Sequence, residues 1–539
     1  MVNHMLKTFK IGAIMLMVAL VASLITYQYT IAGFQGSQES LPFYIGAPQP
    51  YSYIIDTNTT HYVAFNGTTG FLEQTSTDAD SIVNTVFALN PASVFFRSGT
   101  YTIDSNLLPN SNVTIRGEST FTTIILRTAN ASGYPSCFTI DGKQNVAIRD
   151  LTLQWSDKTV GTSRLVRLVG TVTQVKNVII ENVNFKDASY YGISLVDNVD
   201  NLQVRYCNFT GIYNATGRVW IMPATTGANV GYTNIRLENN YVEGRAFVLA
   251  VDDTVRNSCY RWSVNDNYCY EVFGDVIHLL GNGSSAIGNK IVNINVGSTS
   301  TQNGIDCWAF NNVVIMGNTF YTECDKTSAI FAGHGGEQVS ITGNSIENKN
   351  NSVGYGCGIY LFGGSNSTVS GNVIKNMVNF GVGMKPDTTT HGALFNLVIG
   401  NRIDGCGQYG IYEQIYGILI SDYNVIAHNH ITSCATSLIT TGNNTRVEGN
   451  AGYNPKGYIA NTVLGSYLVD SGSGTIANNT GYTCTQSPKT IYIGGGTVLN
   501  VYVNGQVVFA TTNVMVYLSG GNTFEVEWSS APTIKVFGQ

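Results

Sequence analysis

A short pattern built around asparagine recurs through the middle of the chain and limits the folds open to it. Each copy has an aliphatic residue, usually a glycine, then the asparagine and an apolar residue two places on, as in Ile341-Thr-Gly-Asn-Ser-Ile346. The repeated residues lie 21 to 29 positions apart: Asn240, Asn267, Asn289, Asn318, Asn344, Asn372, Asn401, Asn429 and Asn450. A period in the twenties with variable spacing predicts a solenoid whose insertions fall in loops.

Apolar and polar residues alternate within each repeat, as in Gly-Ile-Asp-Cys at 304–307, and this is the periodicity of a strand. The runs are short, and they are separated by Gly, Asn and Ser, which suit left-handed turns. Short strands with a fixed turn and no helical crossover predict that each repeat is one coil of a parallel β-helix. The repeated asparagines can then hydrogen-bond from coil to coil and fix the register of the stack.

Residues 78–480 resemble the right-handed parallel β-helix (pectin-lyase-like) superfamily. The resemblance is carried by the repeats and by two pieces that look like the first coils of such proteins, Gly-Thr-Tyr at 99–101 and Val-Thr-Ile-Arg-Gly at 113–117. It implies an all-β fold, a right-handed parallel β-helix solenoid. It does not imply one activity, because the superfamily includes lyases, hydrolases, epimerases, adhesins and phage tailspikes.

The chain is expected to divide into four segments. Residues 1–33 carry two lysines before an apolar run, and they are predicted to be a secretory signal peptide or an N-terminal membrane anchor. Residues 34–90 are expected to form a linker and an N-terminal cap, which includes a short helix over the first coil. The β-helix is expected over 91–487. Residues 488–539 contain an Asn-Gly pair between alternating runs, which predicts a small antiparallel β domain.

Composition indicates the compartment and excludes one class of partner. Charged residues make up only 12% of the chain, the formal net charge is −6, and no Lys/Arg cluster lies outside the N-terminus. Nucleic acid is therefore not expected as a partner. Frequent Asn-x-Ser/Thr sequons and ten cysteines are compatible with an extracellular or cell-surface glycoprotein.

One cysteine pair is expected to face across two neighbouring coils. Cys406 and Cys434 each follow the aliphatic residue of their repeat by three positions. The strand spacing of about 4.8 Å suits a disulfide between them. The alternative is a ladder of small buried thiols. Cys259 and Cys269 are a second candidate pair, and no Cys-x-x-Cys sequence suggests a metal site.

The strand that follows the asparagine turn predicts where functional side chains would lie. The residue after its inward aliphatic residue must point outward. Read on successive coils, this rule gives the outward row Ser194, Asp252, His278, Asp306, Phe331, Tyr360, Gly383 and Tyr412.

Asp252, His278 and Asp306 would stack on three coils, and two carboxylates beside an imidazole can act as general acid and base. With Asp253 and Asp275 close by, the group could instead bind Ca²⁺ through oxygen ligands. No other cofactor is expected.

The later part of the same row is aromatic. Phe331, Tyr360 and Tyr412 would form a strip that suits stacking against sugar rings. Outward residues of a β-helix are often polar or aromatic, so a purely structural role for the row stays open. Lyase chemistry would need a base such as Arg218, Arg245 or Lys385, and no pattern singles one of them out.

Two short motifs resemble the polygalacturonase family. Gly333-His334-Gly335 resembles its Gly-His-Gly motif, and Gly304-Ile305-Asp306 resembles the Gly-Ile-Asp near its first catalytic aspartate. The resemblance implies catalytic roles for His334 and Asp306. The chain departs from the family because no Asp-Asp pair lies between the motifs and no Arg-Ile-Lys follows them. Since glycosidic hydrolysis usually needs two carboxylates, these departures count against that reaction, and His334 equally suits a turn.

The sequence therefore predicts an exported β-helix protein that binds an acidic or neutral polysaccharide and degrades it as a lyase or glycoside hydrolase. The alternative is a non-catalytic cell-surface protein or adhesin with the β-helix as its stalk. A virion tailspike is a third hypothesis, which the N-terminal segment disfavours.

Overall fold

The computed structural model describes residues 50–451, with gaps, and six segments between 482 and 538. The segments are 482–483, 489–494, 497–509, 514–518, 522–530 and 533–538. The gaps are 59, 129–134, 157–162, 189, 212–218, 225–229, 250–257, 294–302, 309–310, 324–325, 388–390, 415–418, 420 and 443. The predicted signal peptide or membrane anchor lies outside the described residues. Within them, no helix has the length and apolar character needed to cross a membrane.

A helix and a small antiparallel sheet precede the solenoid. Helix α1 (Ala79–Ala88) begins after Asp78, whose carboxylate accepts hydrogen bonds from the amides of Asp80 and Ser81. Its apolar face is buried, as the spacing of its apolar residues predicted. The antiparallel strands are β1 (Tyr53–Thr57), β2 (Tyr62–Asn66) and β3 (Leu72–Ser76). Because β1 also pairs in parallel with β4 (Ser93–Phe96), the first stack of the solenoid begins within the segment predicted as a cap.

Three stacks of parallel strands form the solenoid. Two strands run around the corner between the first and second stacks, β9 (Gln144–Trp155) and β11 (Val175–Lys186). The other strands of the first stack are β4 (Ser93–Phe96), β6 (Val113–Gly117), β13 (Asn198–Arg205), β17 (Arg236–Glu238), β20 (Ser263–Asn265), β23 (Ser285–Ile287), β26 (Val314–Met316), β29 (Ser340–Thr342), β32 (Thr368–Ser370), β36 (Leu397–Ile399), β40 (Val425–Ala427) and β43 (Arg446–Glu448).

The second stack follows the asparagine turn. Its strands are β5 (Gly99–Ile103), β7 (Thr123–Arg127), β14 (Asn208–Thr210), β18 (Tyr241–Val248), β21 (Tyr268–Phe273), β24 (Lys290–Asn293), β27 (Thr319–Thr322), β30 (Ser345–Asn348), β33 (Val373–Lys375), β37 (Arg402–Asp404) and β41 (His430–Thr432). Two short parallel pairs lie beside the stacks, β16 (Gly231–Thr233) with β19 (Cys259–Tyr260), and β35 (Ala393–Leu394) with β39 (Ser421–Asp422).

The third stack carries the candidate site on its outer face. It includes the end of β18 and the strands β8 (Ser136–Asp141), β10 (Arg164–Val169), β12 (Tyr191–Val196), β15 (Val219–Ala224), β22 (Ile277–His278), β25 (Asn303–Trp308), β28 (Lys326–Gly333), β31 (Tyr355–Phe362), β34 (Phe380–Lys385), β38 (Tyr409–Glu413) and β42 (Thr436–Ile439). All neighbouring strands of this stack that are described pair in parallel.

The repeated asparagines form the predicted ladder. From Asn240 to Asn450, each side-chain amide donates to the side-chain oxygen of the next asparagine at 2.9 Å. The same amide also donates to a backbone carbonyl, as Asn344 does to Ile315 at 3.1 Å. The ladder satisfies buried polar groups at every turn, and it therefore locks each coil over the one before.

The core runs along the inside of the coils and consists of buried aliphatic and aromatic side chains. A column of glycines lets the third stack approach the second. A Cβ on Gly381 would lie 2.5 Å from the Ile403 side chain, and one on Gly410 would lie 2.3 Å from the Ile431 side chain. Both glycines immediately precede the inward aliphatic residue of their strand. At these two positions a side chain larger than that of glycine would collide with the core.

The described C-terminal strands form two antiparallel sheets, as the sequence predicted for this region. One sheet has the order β44 (Tyr482–Thr483), β49 (Thr523–Ser530), β46 (Thr497–Val503), β47 (Gln506–Phe509). The other has the order β48 (Val514–Leu518), β45 (Lys489–Gly494), β50 (Thr533–Gly538). Because β44 pairs with β49, the antiparallel part includes a strand that precedes the expected boundary at 488.

Cys406 and Cys434 lie on neighbouring coils, since Ile403 pairs with Ile431 three residues earlier. The Cys406 amide donates to Cys434 Sγ at 3.4 Å, and both residues are free thiols in this structure. The register behind the predicted disulfide is therefore confirmed, while the bond itself stays a prediction. Cys259 lies on β19 and Cys269 on β21, and both side chains are buried.

Candidate functional site

The predicted outward row is present from His278 to Tyr412. The pairings join His278 to Asp306, Asp306 to Phe331, Phe331 to Tyr360, and Tyr360 through Gly383 to Tyr412. Ser194 occupies the equivalent position on β12, where it is buried. The prediction succeeded because the inward aliphatic residue occurs once per coil at a constant place.

The register expected for Asp252 is wrong. It assumed that Val251 is the inward residue one coil before Ile277, but Val248 pairs with Ile277. Asp252 and Asp253 themselves lie outside the described residues, and their catalytic and metal-binding roles stay predictions. The misplacement arose because the run from 246 to 251 offers several aliphatic residues and no Gly-Ile pair to mark the inward position.

Asp275, His278 and Asp306 converge at the start of the row. His278 Nε2 lies 3.0 Å from Asp275 Oδ2 and 3.5 Å from Asp306 Oδ2. The three ligand atoms lie within 4.8 Å of one another. His278 is 6% exposed and Asp306 is 5% exposed, whereas the Asp275 side chain is 20% exposed. Asp275, expected only as a nearby metal ligand, is thus a central member of the group.

Backbone and side-chain contacts from the next two coils orient the group. The Asn303 amide donates to the second oxygen of Asp275 at 2.5 Å. Ser328 donates to the Asn303 side-chain oxygen at 2.5 Å. Because these contacts come from β25 and β28, the position of Asp275 depends on the same parallel register that aligns His278 with Asp306.

This arrangement supports two kinds of chemistry. An imidazole held between carboxylates can transfer a proton to or from a bound substrate. Alternatively, one nitrogen and two carboxylate oxygens can hold a metal ion. Within the described residues, no other group of three such side chains comes this close.

An aromatic surface continues from this group along the outer face of the third stack. Ring centroids lie 5.8 Å apart between Phe331 and Tyr360, and 5.4 Å apart between Tyr360 and Phe380. They lie 5.5 Å apart between Phe380 and Tyr412, and 4.7 Å apart between Tyr412 and Tyr409. Phe331 is 8% exposed, whereas the other four rings are half-buried and keep part of their surface open to solvent. Burial raises the pKa of Tyr360, so its hydroxyl stays neutral at physiological pH.

The surface is wider than the sequence predicted. Besides the three expected rings it includes Trp308, Phe362, Phe380 and Tyr409. Phe380 and Tyr409 directly precede the glycines of the column described above, and their side chains point outward. The repeated aromatic-Gly-aliphatic order at 380–382 and 409–411 was the signal that could have located them. We call these seven rings, with Phe331, Tyr360 and Tyr412 among them, the aromatic strip.

His334 belongs to the aromatic strip's edge and not to the carboxylate group. Its ring stacks on Trp308 with centroids 3.6 Å apart, and its φ of 54° places it in a left-handed turn. The turn expected as the alternative describes its backbone, and the catalytic role implied by Gly-His-Gly stays a prediction.

Other polar groups near this face are held in separate arrangements. The buried Asp387 carboxylate lies 2.7 Å from His391 Nδ1, and the His391 ring packs over Gly335. Arg245 is buried with its guanidinium 5.2 Å from the Trp220 ring centroid. Lys385 ends β34, half-buried, and Arg218 lies outside the described residues.

The geometry of the three parallel stacks decides the fold. The chain is a right-handed parallel β-helix protein. No protein-family model matches it, and no curated protein matches it.

Solved structures with similar folds act on or bind different targets. The A-module of a mannuronan C-5 epimerase from Azotobacter vinelandii has 16% identity and a TM-score of 0.48, with 69% of this chain and 95% of that chain covered. A surface adhesin of Streptococcus pneumoniae has 13% identity and a TM-score of 0.45, with 63% of this chain and 88% of that chain covered. The catalytic unit of an alpha-1,3-glucanase from Streptomyces thermodiastaticus has 15% identity and a TM-score of 0.44, with 70% of this chain and 66% of that chain covered. Values this low say nothing about activity.

Proposed function

We propose that this protein binds a polysaccharide along the aromatic strip and cleaves it at the Asp275–His278–Asp306 group. The observation that carries the proposal is their continuity on one face: Asp306 pairs directly with Phe331, the first of the aligned rings. A sugar chain stacked on the rings would therefore extend onto the carboxylates and imidazole. Aromatic surfaces with a few polar groups at one point are typical of sites that hold and orient such ligands.

The reaction class that suits these residues is cleavage of a glycosidic linkage, by elimination or by hydrolysis. Both need groups that take up and release a proton or that stabilise developing negative charge. The lysine-flanked apolar run at the N-terminus supports an extracellular or cell-surface location, where the protein would meet such polymers. If that segment is retained, it would attach the protein to a membrane.

A second candidate is a non-catalytic surface protein that binds glycan through the same strip. The low exposure of His278 and Asp306 favours it, because a reacting group must reach its substrate. The two candidates share the binding surface and differ only in whether bonds break.

A depolymerisation screen separates them. The purified protein is incubated with a panel of uronic-acid and neutral polysaccharides, and reducing ends and unsaturated products are measured. Cleavage is expected for at least one polymer, lost in Asp306→Asn and kept in Glu347→Gln, whose carboxylate lies on the second stack. Unsaturated products would identify a lyase, and their absence a hydrolase. Binding without cleavage, unchanged by Asp306→Asn, would overturn catalysis and favour the second candidate.

A further inference from the structure

We infer that Asp275, His278 and Asp306 together hold one divalent transition-metal ion of the Zn²⁺ type. The inference assigns a metal ion to the three residues at which the proposed cleavage takes place. It rests on the proposed function only for the role that the ion would have in cleavage. Metal binding is measured without any glycan, so each can fail independently of the other.

Three atoms with electron pairs to donate converge on one point. Two carboxylate oxygens approach the same imidazole nitrogen, at 3.0 Å for Asp275 and 3.5 Å for Asp306. Nε2 carries at most one hydrogen, so it cannot donate a full hydrogen bond to both carboxylates at once. A divalent ion among the three atoms would accept an electron pair from each of them and would neutralise both negative charges.

Two of the three side chains are buried. His278 and Asp306 are each more than nine-tenths buried, where water compensates little for the repulsion between two carboxylates. A cation between two carboxylates this close offsets their repulsion and lowers the cost of burying them. Parallel pairing of β22 with β25 holds both side chains in place. The Asn303 amide fixes Asp275, in the way that outer contacts orient metal ligands.

The ligand types and their separations indicate which ion fits. Bonds of about 2.0–2.2 Å to nitrogen and oxygen are those of Zn²⁺, and they fit the separations of 3.0 and 3.5 Å between His278 Nε2 and the two carboxylate oxygens. Ca²⁺ prefers six to eight oxygen ligands at longer distances, and imidazole is a poor ligand for it. The nitrogen ligand therefore favours Zn²⁺ over the Ca²⁺ expected from the sequence. Three protein ligands leave a position for water or substrate, the arrangement of catalytic zinc sites.

Metal content is the test. The full chain is stripped with a chelator, incubated with Zn²⁺ and dialysed, and bound zinc is measured by mass spectrometry and by calorimetric titration. About one ion per chain is expected, falling at least roughly tenfold in affinity in Asp306→Asn and lost in His278→Ala. Circular dichroism checks that both variants fold.

His391→Ala is the matched control. His391 also faces a buried aspartate but has no third ligand within reach among the described residues, so its removal should leave the stoichiometry unchanged. A double Cys406→Ser, Cys434→Ser variant tests binding by thiols. The inference is overturned if wild type binds no more zinc than His278→Ala, if zinc binding depends on the cysteines, or if Ca²⁺ alone binds and His278→Ala does not affect it.

Discussion

The backbone amide and the side-chain amide of Asn318 both donate to the side-chain oxygen of Asn344, each at 2.9 Å. Both residues are fully buried. Asn344 passes the same pair of contacts to Asn372, and the pattern extends over nine coils from Asn240 to Asn450. Because every coil is tied to the next at one corner, the register of the third stack is fixed as well, and His278 faces Asp306.

Asn344→Ala should lower the free energy of unfolding by at least about 1–3 kcal/mol, because it leaves the Asn318 amides and the Ile315 carbonyl buried without this partner. Urea denaturation followed by circular dichroism measures the change. Asn177→Gly is the control, since Asn177 sits in an exposed ladder at a φ of 53° that glycine tolerates. Equal losses in the two variants would show that burial of the ladder is not what stabilises the stack.

Glu413 should make stability depend on pH. Its buried carboxylate accepts hydrogen bonds from Asn424, Thr445 and the Gly442 amide, and burial raises its pKa above the ordinary 4.5. A carboxyl with a raised folded pKa binds its proton more tightly in the native state. The contribution of Glu413 to the free energy of unfolding is therefore fully present below pH 4.5, and it is lost as the pH rises through the folded pKa.

Thermal unfolding measured between about pH 4 and about pH 8 tests this dependence. Wild type should lose stability across the window above 4.5, and Glu413→Gln should show a flatter profile. Glu448→Gln, at an exposed pair with Arg446, should keep the wild-type profile. Identical profiles for wild type and Glu413→Gln would contradict the assignment.

Cys406 and Cys434 should form a disulfide under oxidising conditions. The hydrogen bond that Cys406 gives to Cys434 lowers the pKa of the Cys434 thiol, which makes it the nucleophile of the pair. The bond would close a loop between residues 28 positions apart and add about 3.5 kcal/mol by the chain-entropy relation. Peptide mapping without reductant should recover the linked peptides, and Cys406→Ser should abolish them. Two free thiols after oxidation would count against the pairing.

Phe380→Ala and Tyr412→Ala should each weaken polysaccharide binding roughly tenfold, about 1.4 kcal/mol, because each removes a ring from the aromatic strip. Titration calorimetry with the polymer identified in the screen measures the affinity. Phe395→Ala is the control, since Phe395 stacks on Tyr423 at another corner of the coil, with centroids 5.2 Å apart. A loss in Phe395→Ala as large as in the strip variants would place the binding surface elsewhere.

The fold could be predicted because the information repeats. Each coil repeats the same turn, strand and inward residue. A residue assigned wrongly in one coil can therefore be corrected by comparison with the neighbouring coils. That is why the alignment of His278, Asp306, Phe331 and Tyr360 was predicted without coordinates.

The site was less predictable because it depends on departures from the repeat. Asp275 lies two residues before the inward Ile277, where alternation alone does not tell which way a side chain points. The same ambiguity concealed Phe380 and Tyr409. Asp252 was assigned to the row where the repeat lacks its glycine, and the Gly-His-Gly motif at His334 lies in a left-handed turn.

A crystal structure of the protein with a bound oligosaccharide tests the central claim most directly. The account predicts sugar rings stacked along Phe331, Tyr360, Phe380 and Tyr412, with the chain continuing to within hydrogen-bond or metal-ligand distance of Asp275, His278 or Asp306. An oligosaccharide bound on another face of the coils or on the C-terminal sheets, with the aromatic strip bare, would contradict it.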